Sequence, residues 1–165
     1  MHALFVWLET SAFSVWVRES TSVFAFPTIL ALHTIGMGAV AGISAAIDLR
    51  ILGVAPQVPL LGLKRFFPII WIGFWLSAAS GVVLLIGYPT KALTNPVFYT
   101  KLGFIALGLI ALRAIRRRVF RDPGLDNSPV PGRGRLLAAA SLVCWTGAIA
   151  TGRFLAYTYV RLMSA

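Results

Sequence analysis

The stretch FPIIWIGFWLSAASGVVLLIG, residues 67–87, contains no charged side chain and is long enough to cross a bilayer. A membrane-spanning helix needs about 20 predominantly apolar residues, because its backbone polar groups must be satisfied within the segment. Pro68 stands at the start, where a helix tolerates proline, and Pro89 follows the end. The stretch therefore predicts a transmembrane helix.

Three further apolar segments predict three further crossings, at about residues 23–49, 97–115 and 136–160. Ser22 offers an N-cap before the segment at 23–49, and Asn95-Pro96 makes a turn before the segment at 97–115. We therefore expect an all-α fold, an integral membrane four-helix bundle that forms a single transmembrane domain over residues 1–165.

The composition excludes most soluble classes of protein. Hydrophobic residues make up 58% of the chain and charged residues 12%, about half the charged share of a typical soluble domain. The net charge of +10 is also typical of nucleic-acid-binding proteins, but here the basic residues collect in loops between apolar segments, so we expect no nucleic-acid partner. No nucleophile triad, phosphate-binding glycine loop or pair of acids is present, so no catalytic residue is assigned.

The N-terminal segment, about residues 3–18, predicts an amphipathic helix lying on the membrane surface. Its apolar residues fall along one helical stripe, whereas Glu9, Ser11, Ser14 and Arg18 lie largely elsewhere. The segment lacks the positively charged start of a signal peptide, and Glu9 lies in its apolar run. We therefore expect it to remain as an interfacial helix.

The basic residues predict the orientation of the bundle. The loops after the first and third crossings hold most of them, including Arg50, Lys64, Arg65, Arg113, Arg116, Arg117, Arg118, Arg121, Arg133 and Arg135. The positive-inside rule places these loops in the cytoplasm and both termini in the periplasm, as expected for a bacterial inner-membrane protein. The arginine-rich loop is expected to contact anionic lipids, with an acidic partner protein as the alternative.

Three basic or metal-ligating side chains are predicted in the outer half of the membrane. His33 lies roughly 15 Å, Arg153 roughly 10 Å and Lys101 about 6 Å from the outer end of its crossing, at the helical rise of 1.5 Å per residue. A charge at the bilayer centre costs roughly 2.5–3.5 kcal/mol and therefore usually has a partner or a function. No acidic residue lies in the outer part of any crossing. These residues therefore predict an anionic or electron-rich ligand.

Haem b is the first ligand that suits this group. His33 would bind the iron, and Arg153 and Lys101 would contact the propionates. Met37 lies one turn after His33 on the same side, so it cannot bind the opposite face of a haem. A five-coordinate haem needs no ligand on its opposite face. In a six-coordinate haem, a histidine from another subunit would bind that face.

A quinone or a lipid phosphate would also suit the basic group. Copper is the competing metal, with His33, Met37 and Cys144 as its ligands. The simplest interpretation has no ligand: His33 is hydrogen-bonded between helices, and Arg153 extends to the interface.

Most of the chain resembles an uncharacterised family of small bacterial four-helix inner-membrane proteins. The resemblance rests on Phe26-Pro27 through His33 to Gly36-Met37-Gly38, on Asn95-Pro96 with Lys101-Leu102, and on Gly152-Arg153-Phe154-Leu155-Ala156-Tyr157. More loosely, the helices are similar to the copper-resistance D and cytochrome b561 group, in which some members bind haem b between transmembrane histidines. This chain departs from that pattern, because His33 is its one histidine within a crossing.

We therefore expect a cofactor-binding electron-transfer subunit, linked to haem b or a quinone. The expected site residues are His33, Arg153, Lys101 and Met37, with His33 as the metal ligand. A copper or small-solute transporter and a non-catalytic assembly or accessory subunit are the alternatives. The small residues of Gly38-x-x-x-Gly42-x-x-x-Ala46 predict close helix packing, either within the bundle or in a homo-oligomer or with a redox partner subunit.

Overall fold

A computed structural model describes residues 7, 9–122, 125–126 and 130–163. Helices and the turns that join them account for this part of the chain, and no strand occurs in it. In chain order the helices are α1 (Ala12–Glu19), α2 (Phe26–Leu52), α3 (Leu60–Leu63), α4 (Phe67–Gly87), α5 (Pro89–Leu93), α6 (Pro96–Arg118) and α7 (Gly132–Met163), with a 3-10 turn at Lys64–Phe66.

Four of these helices, α2, α4, α6 and α7, are long and apolar enough to cross a membrane. The expected all-α membrane bundle is thereby confirmed, and the chain is a multi-pass membrane protein. Helix α4 has the predicted bounds, and α2 begins and ends three residues later than predicted, whereas α6 and α7 extend beyond the apolar segments into the flanking polar sequence. For example, α7 begins at Gly132, directly after Pro131, where the hydropathy pattern predicts a start near residue 136.

Helices α2 and α4 pack with their backbones in close approach. A Cβ added to Gly36 would lie 2.7 Å from the carbonyl oxygen of Gly73 and 2.7 Å from the amide nitrogen of Ser77. A Cβ added to Gly73 would lie 2.9 Å from the Cβ of Ala39. Because only glycine leaves room for this contact, small residues determine the distance between α2 and α4.

Helices α6 and α7 pack differently, because aromatic side chains fill the space above glycines. A Cβ on Gly108 would lie 3.0 Å from the indole of Trp145, and a Cβ on Gly147 would lie 2.9 Å from the ring of Phe104. The two helix pairs join where α2 packs on α7. Gly38 and Gly42 are exposed, with no atom within 4 Å of an added Cβ, so their row faces away from the bundle.

The C-terminal ends of α2 and α6 and the N-terminal ends of α4 and α7 lie together at one end of the bundle, which we call the basic end. The core there is built from Ile47, Ile51, Leu112 and Ile115, which are all buried. Phe67 packs edge-on against Phe120, with ring centroids 5.2 Å apart. The arginine-rich segment is therefore anchored on the core by an aromatic pair.

Helix α1 lies across the other end of the bundle, against the end of α4. The Ser14 hydroxyl donates to the carbonyl oxygen of Gly87 at 3.4 Å, and Val17 is buried against the same glycine. Phe13 and Trp16 are exposed, so they are available to lipid. The first part of the predicted surface helix, residues 3–6 and 8, lies outside the described residues.

At the basic end, Asp126 connects the segment between α6 and α7 to the segment between α2 and α4. Its carboxylate accepts hydrogen bonds from the backbone amide of Leu60, at 2.6 Å, and from that of Leu61. A carboxylate at this position satisfies amide groups that a helix leaves unpaired at its start. The segment before α7 is thus held against the start of α3.

Asp126→Ala is expected to lower the free energy of unfolding by about 1 kcal/mol, the usual cost of losing a helix cap. Asp126→Asn should lose less, because its side-chain oxygen still accepts a hydrogen bond. Thermal unfolding in detergent, followed by circular dichroism, measures both variants. An alanine variant as stable as the unmodified chain would show that the cap contributes nothing.

Candidate cofactor site

His33 lies on α2, partly buried against α4. Its Nδ1 is 2.8 Å from the carbonyl oxygen of Ser77. Because a carbonyl oxygen only accepts, Nδ1 carries the hydrogen of this bond. In the neutral ring, Nε2 then holds the lone pair. Within the described structure, Nε2 makes no hydrogen bond.

The local sequence of α4 explains why the imidazole fits here. A Cβ on Gly81 would lie 3.1 Å from Cε1 of His33, so glycine admits the ring at this point. The hydroxyl of Ser80 donates to the carbonyl oxygens of Leu76, at 2.7 Å, and Ser77, at 3.2 Å. The Ser77 and Ser80 hydroxyl oxygens also lie 3.4 Å from Nδ1. Small and hydroxylated residues of α4 therefore make room for the imidazole of His33 and surround its Nδ1.

Lys101 reaches the same region from the first turns of α6. Its side chain is partly buried along α7, where a Cβ on Gly152 would lie 3.7 Å from Cε and 3.8 Å from Nζ. Its charge is close enough to act on His33. The structure thus places His33 and Lys101, both predicted in the outer half of the membrane, within electrostatic range of each other.

No acid of the described residues forms an ion pair with Lys101. Glu9 accepts a hydrogen bond from the amide of Thr90, Glu19 is exposed at the end of α1, and Asp48, Asp122 and Asp126 lie at the basic end. The positive charge therefore remains available to an anionic ligand.

The other predicted site residues occupy different surroundings. Arg153 is exposed beside Gly152, so it lies on the surface of the bundle. Met37 packs against the buried core, and Cys144 is a partly buried free thiol. Across the described residues, no group of three or more His, Cys, Asp or Glu side chains is placed to hold a metal ion.

The structure also shows a basic cleft at a place where the sequence pattern predicts only an arginine-rich loop. It lies between α4 and α6 at the basic end and has a volume of about 770 Å³. The Arg113 guanidinium lies 4.5 Å above the Trp71 ring, and the Arg116 guanidinium lies 5.5 Å above the Phe67 ring. The remaining lining residues are Lys64, Leu112, Arg117, Phe120 and Arg121.

One buried acid was missed as a candidate. From the sequence, Asp48 is expected near Arg50 at the end of its crossing, but the structure buries it completely. Asp48 falls on the same side of α2 as Ser44, one turn earlier, which is the pattern that could have identified a polar helix contact.

No family model, curated protein or solved structure matches this chain. The candidate site therefore rests on its own geometry.

Proposed function

We propose that the protein is a membrane-embedded cofactor-binding subunit for electron transfer, with haem b as the cofactor and His33 as its ligand. The observation that carries the proposal is the hydrogen bond from His33 Nδ1 to the Ser77 carbonyl oxygen. Histidines that bind metals almost always donate their other ring N–H to a carbonyl or a carboxylate, which fixes the tautomer and the ring orientation. The same arrangement leaves Nε2 of His33 as the binding nitrogen.

The residues present fit a haem with one protein ligand. His33 supplies the imidazole, and Lys101 supplies an unneutralised positive charge in the same neighbourhood for a propionate. Arg153, exposed beside Gly152, is placed to contact a group that extends to the surface. Bound haem would supply one-electron redox chemistry. The task of the chain is to orient the imidazole, to exclude water and to neutralise the cofactor's negative charge.

The quinone alternative uses the same residues in another way. A quinone carbonyl accepts hydrogen bonds, so Lys101, or His33 through an N–H, would contact it.

Cofactor analysis separates the alternatives: the pyridine haemochrome assay detects haem b, mass spectrometry detects quinone, and elemental analysis detects copper. Copper lost in Met37→Leu would favour transport. Partner chains that copurify equally with His33→Ala, without any cofactor, would favour an assembly or accessory subunit.

We also propose that the basic cleft binds an anionic lipid headgroup on the cytoplasmic side of a bacterial inner membrane. The cleft combines cationic groups with Trp71 and Phe67, which offer apolar and aromatic surface beside a headgroup. Phosphate pairs well with guanidinium groups, and a basic residue near an anionic membrane surface contributes about 1 kcal/mol. The positive-inside rule supports the same orientation.

Replacing both Arg113 and Arg116 with glutamine is expected to weaken binding of an anionic lipid by about 2 kcal/mol, at about 1 kcal/mol for each lost charge. Native mass spectrometry with added cardiolipin or phosphatidylglycerol measures the change. The matched control is Arg135→Gln combined with Arg50→Gln, because neither arginine lines the cleft. Equal weakening in both double variants would indicate a diffuse charge effect rather than a site.

A further inference from the structure

A buried polar cluster lies at the contact between α2 and α7, towards the basic end. Asp48 is completely buried, and neither of its carboxyl oxygens has a hydrogen-bond partner. Ser44 of α2 and Ser141 of α7 are also completely buried, and their hydroxyls are unpartnered. The Ser141 hydroxyl is near enough to act on the Asp48 carboxyl, although the two are not in hydrogen-bond geometry. We call these three residues the Asp48 cluster.

No cation neutralises Asp48 within the described structure. Arg50, its nearest basic neighbour in sequence, donates from Nη2 to the carbonyl oxygen of Pro56 at 2.8 Å and from Nε to that of Val58. Neither carboxyl oxygen of Asp48 is bonded to a basic side chain of the described residues. An isolated carboxylate is very costly to bury in an apolar interior, so such a group takes up a proton or binds a cation.

We propose that Asp48 is a proton-binding site, held as the neutral acid and able to exchange its proton with the aqueous phase at the basic end. A neutral carboxyl group has one O–H donor, and a serine hydroxyl both donates and accepts. The acid therefore donates to the hydroxyl oxygen of Ser141 or Ser44. When the proton leaves, both hydroxyls turn to donate to the carboxylate. Rotation of hydroxyl groups thus serves both states without movement of the helices.

The position and the ligand set favour a proton over a metal ion. Asp48 lies about 6 Å, roughly one turn, before the end of α2 at Leu52, so the aqueous phase is close. Calcium and magnesium take six or more oxygen ligands, whereas this cluster supplies two carboxyl oxygens and two hydroxyls. This site is independent of the proposed cofactor, because it lies at the opposite end of α2 from His33.

Infrared spectroscopy of the whole chain in lipid vesicles tests the proposal. At neutral pH we expect the carbonyl stretch of a protonated carboxylic acid, shifted when H₂O is replaced by D₂O and abolished in Asp48→Asn. Asp126→Asn is the matched control, because it removes an exposed acid and should leave the band unchanged. Ser141→Ala should move the band without abolishing it, since the acid loses one hydrogen-bond partner.

Three results would overturn the proposal: no protonated-acid band in the unmodified chain, a band that persists in Asp48→Asn, or a band abolished by added sodium. The last would identify a cation site. If Asp48→Asn fails to fold, the double variant Ser44→Ala with Ser141→Ala still decides, because it removes both hydroxyls of the Asp48 cluster and a band that does not respond to this loss cannot come from Asp48.

Discussion

Gly36→Ala is expected to lower the free energy of unfolding by about 1–3 kcal/mol, the typical cost of adding a methyl group where the packing leaves no room. The new Cβ would lie 2.7 Å from two backbone atoms of α4, the carbonyl oxygen of Gly73 and the amide nitrogen of Ser77. Backbone atoms inside a helix cannot rotate away as a side-chain end can. The α2 and α4 helices must therefore separate, which also lengthens the hydrogen bond from His33 to Ser77, one turn away.

Unfolding in detergent, followed by circular dichroism as denaturant is added, measures this loss. Gly38→Ala is the matched control, because it lies on the same helix with no atom within 4 Å of the added Cβ. It should be neutral or stabilising by up to about 1 kcal/mol, since alanine favours a helix over glycine. Equal destabilisation by the two alanines would mean that the close contact of α2 and α4 does not determine the stability of the bundle.

His33→Ala is expected to abolish haem binding, because the proposed site has one protein ligand to the iron. Loss of the side chain also removes the hydrogen bond to the Ser77 carbonyl oxygen, so the helix contact could weaken for a separate reason. Haem content per chain, measured by the pyridine haemochrome assay after purification, gives the result.

His33→Asn separates ligation from packing. The asparagine amide N–H can replace Nδ1 as the donor to Ser77, but it supplies no nitrogen in the place of Nε2. The asparagine variant should therefore remain folded and lose haem. Ser80→Ala, which removes a hydroxyl but leaves the Ser77 carbonyl in place, should keep haem. Haem retained in both His33 variants would exclude His33 as the ligand.

The sequence predicts the number of crossings well, because each crossing needs its own long apolar segment. It predicts helix ends less well, since hydropathy detects only the apolar part of a helix. The backbone hydrogen bonds of α6 continue through Arg116, Arg117 and Arg118, and those of α7 begin before the apolar segment. Polar residues in these turns form helix as readily as apolar ones do, but hydropathy does not detect them.

For the site, the sequence gives depth but not rotation about the helix axis. Helical rise places His33 and Lys101 in the same outer half of the membrane, and in the structure the Lys101 charge lies within electrostatic range of His33. Arg153 is predicted at a depth similar to that of His33, but its position around the axis of α7 exposes it on the surface of the bundle. The surroundings of Asp48 depend on Ser141, which is contributed by a distant segment, so helix pairing must be known before its burial can be predicted.

The reduced-minus-oxidised absorption spectrum of the whole chain, purified in mild detergent, shows whether the protein binds haem b through His33. We expect a Soret shift and the α-band of haem b, with about one haem per chain for a single histidine ligand. We also expect that His33→Asn, equally folded, shows neither signal. A featureless spectrum that persists after haem is added to the folded protein, or a haem spectrum unchanged in His33→Asn, would exclude a haem held by His33.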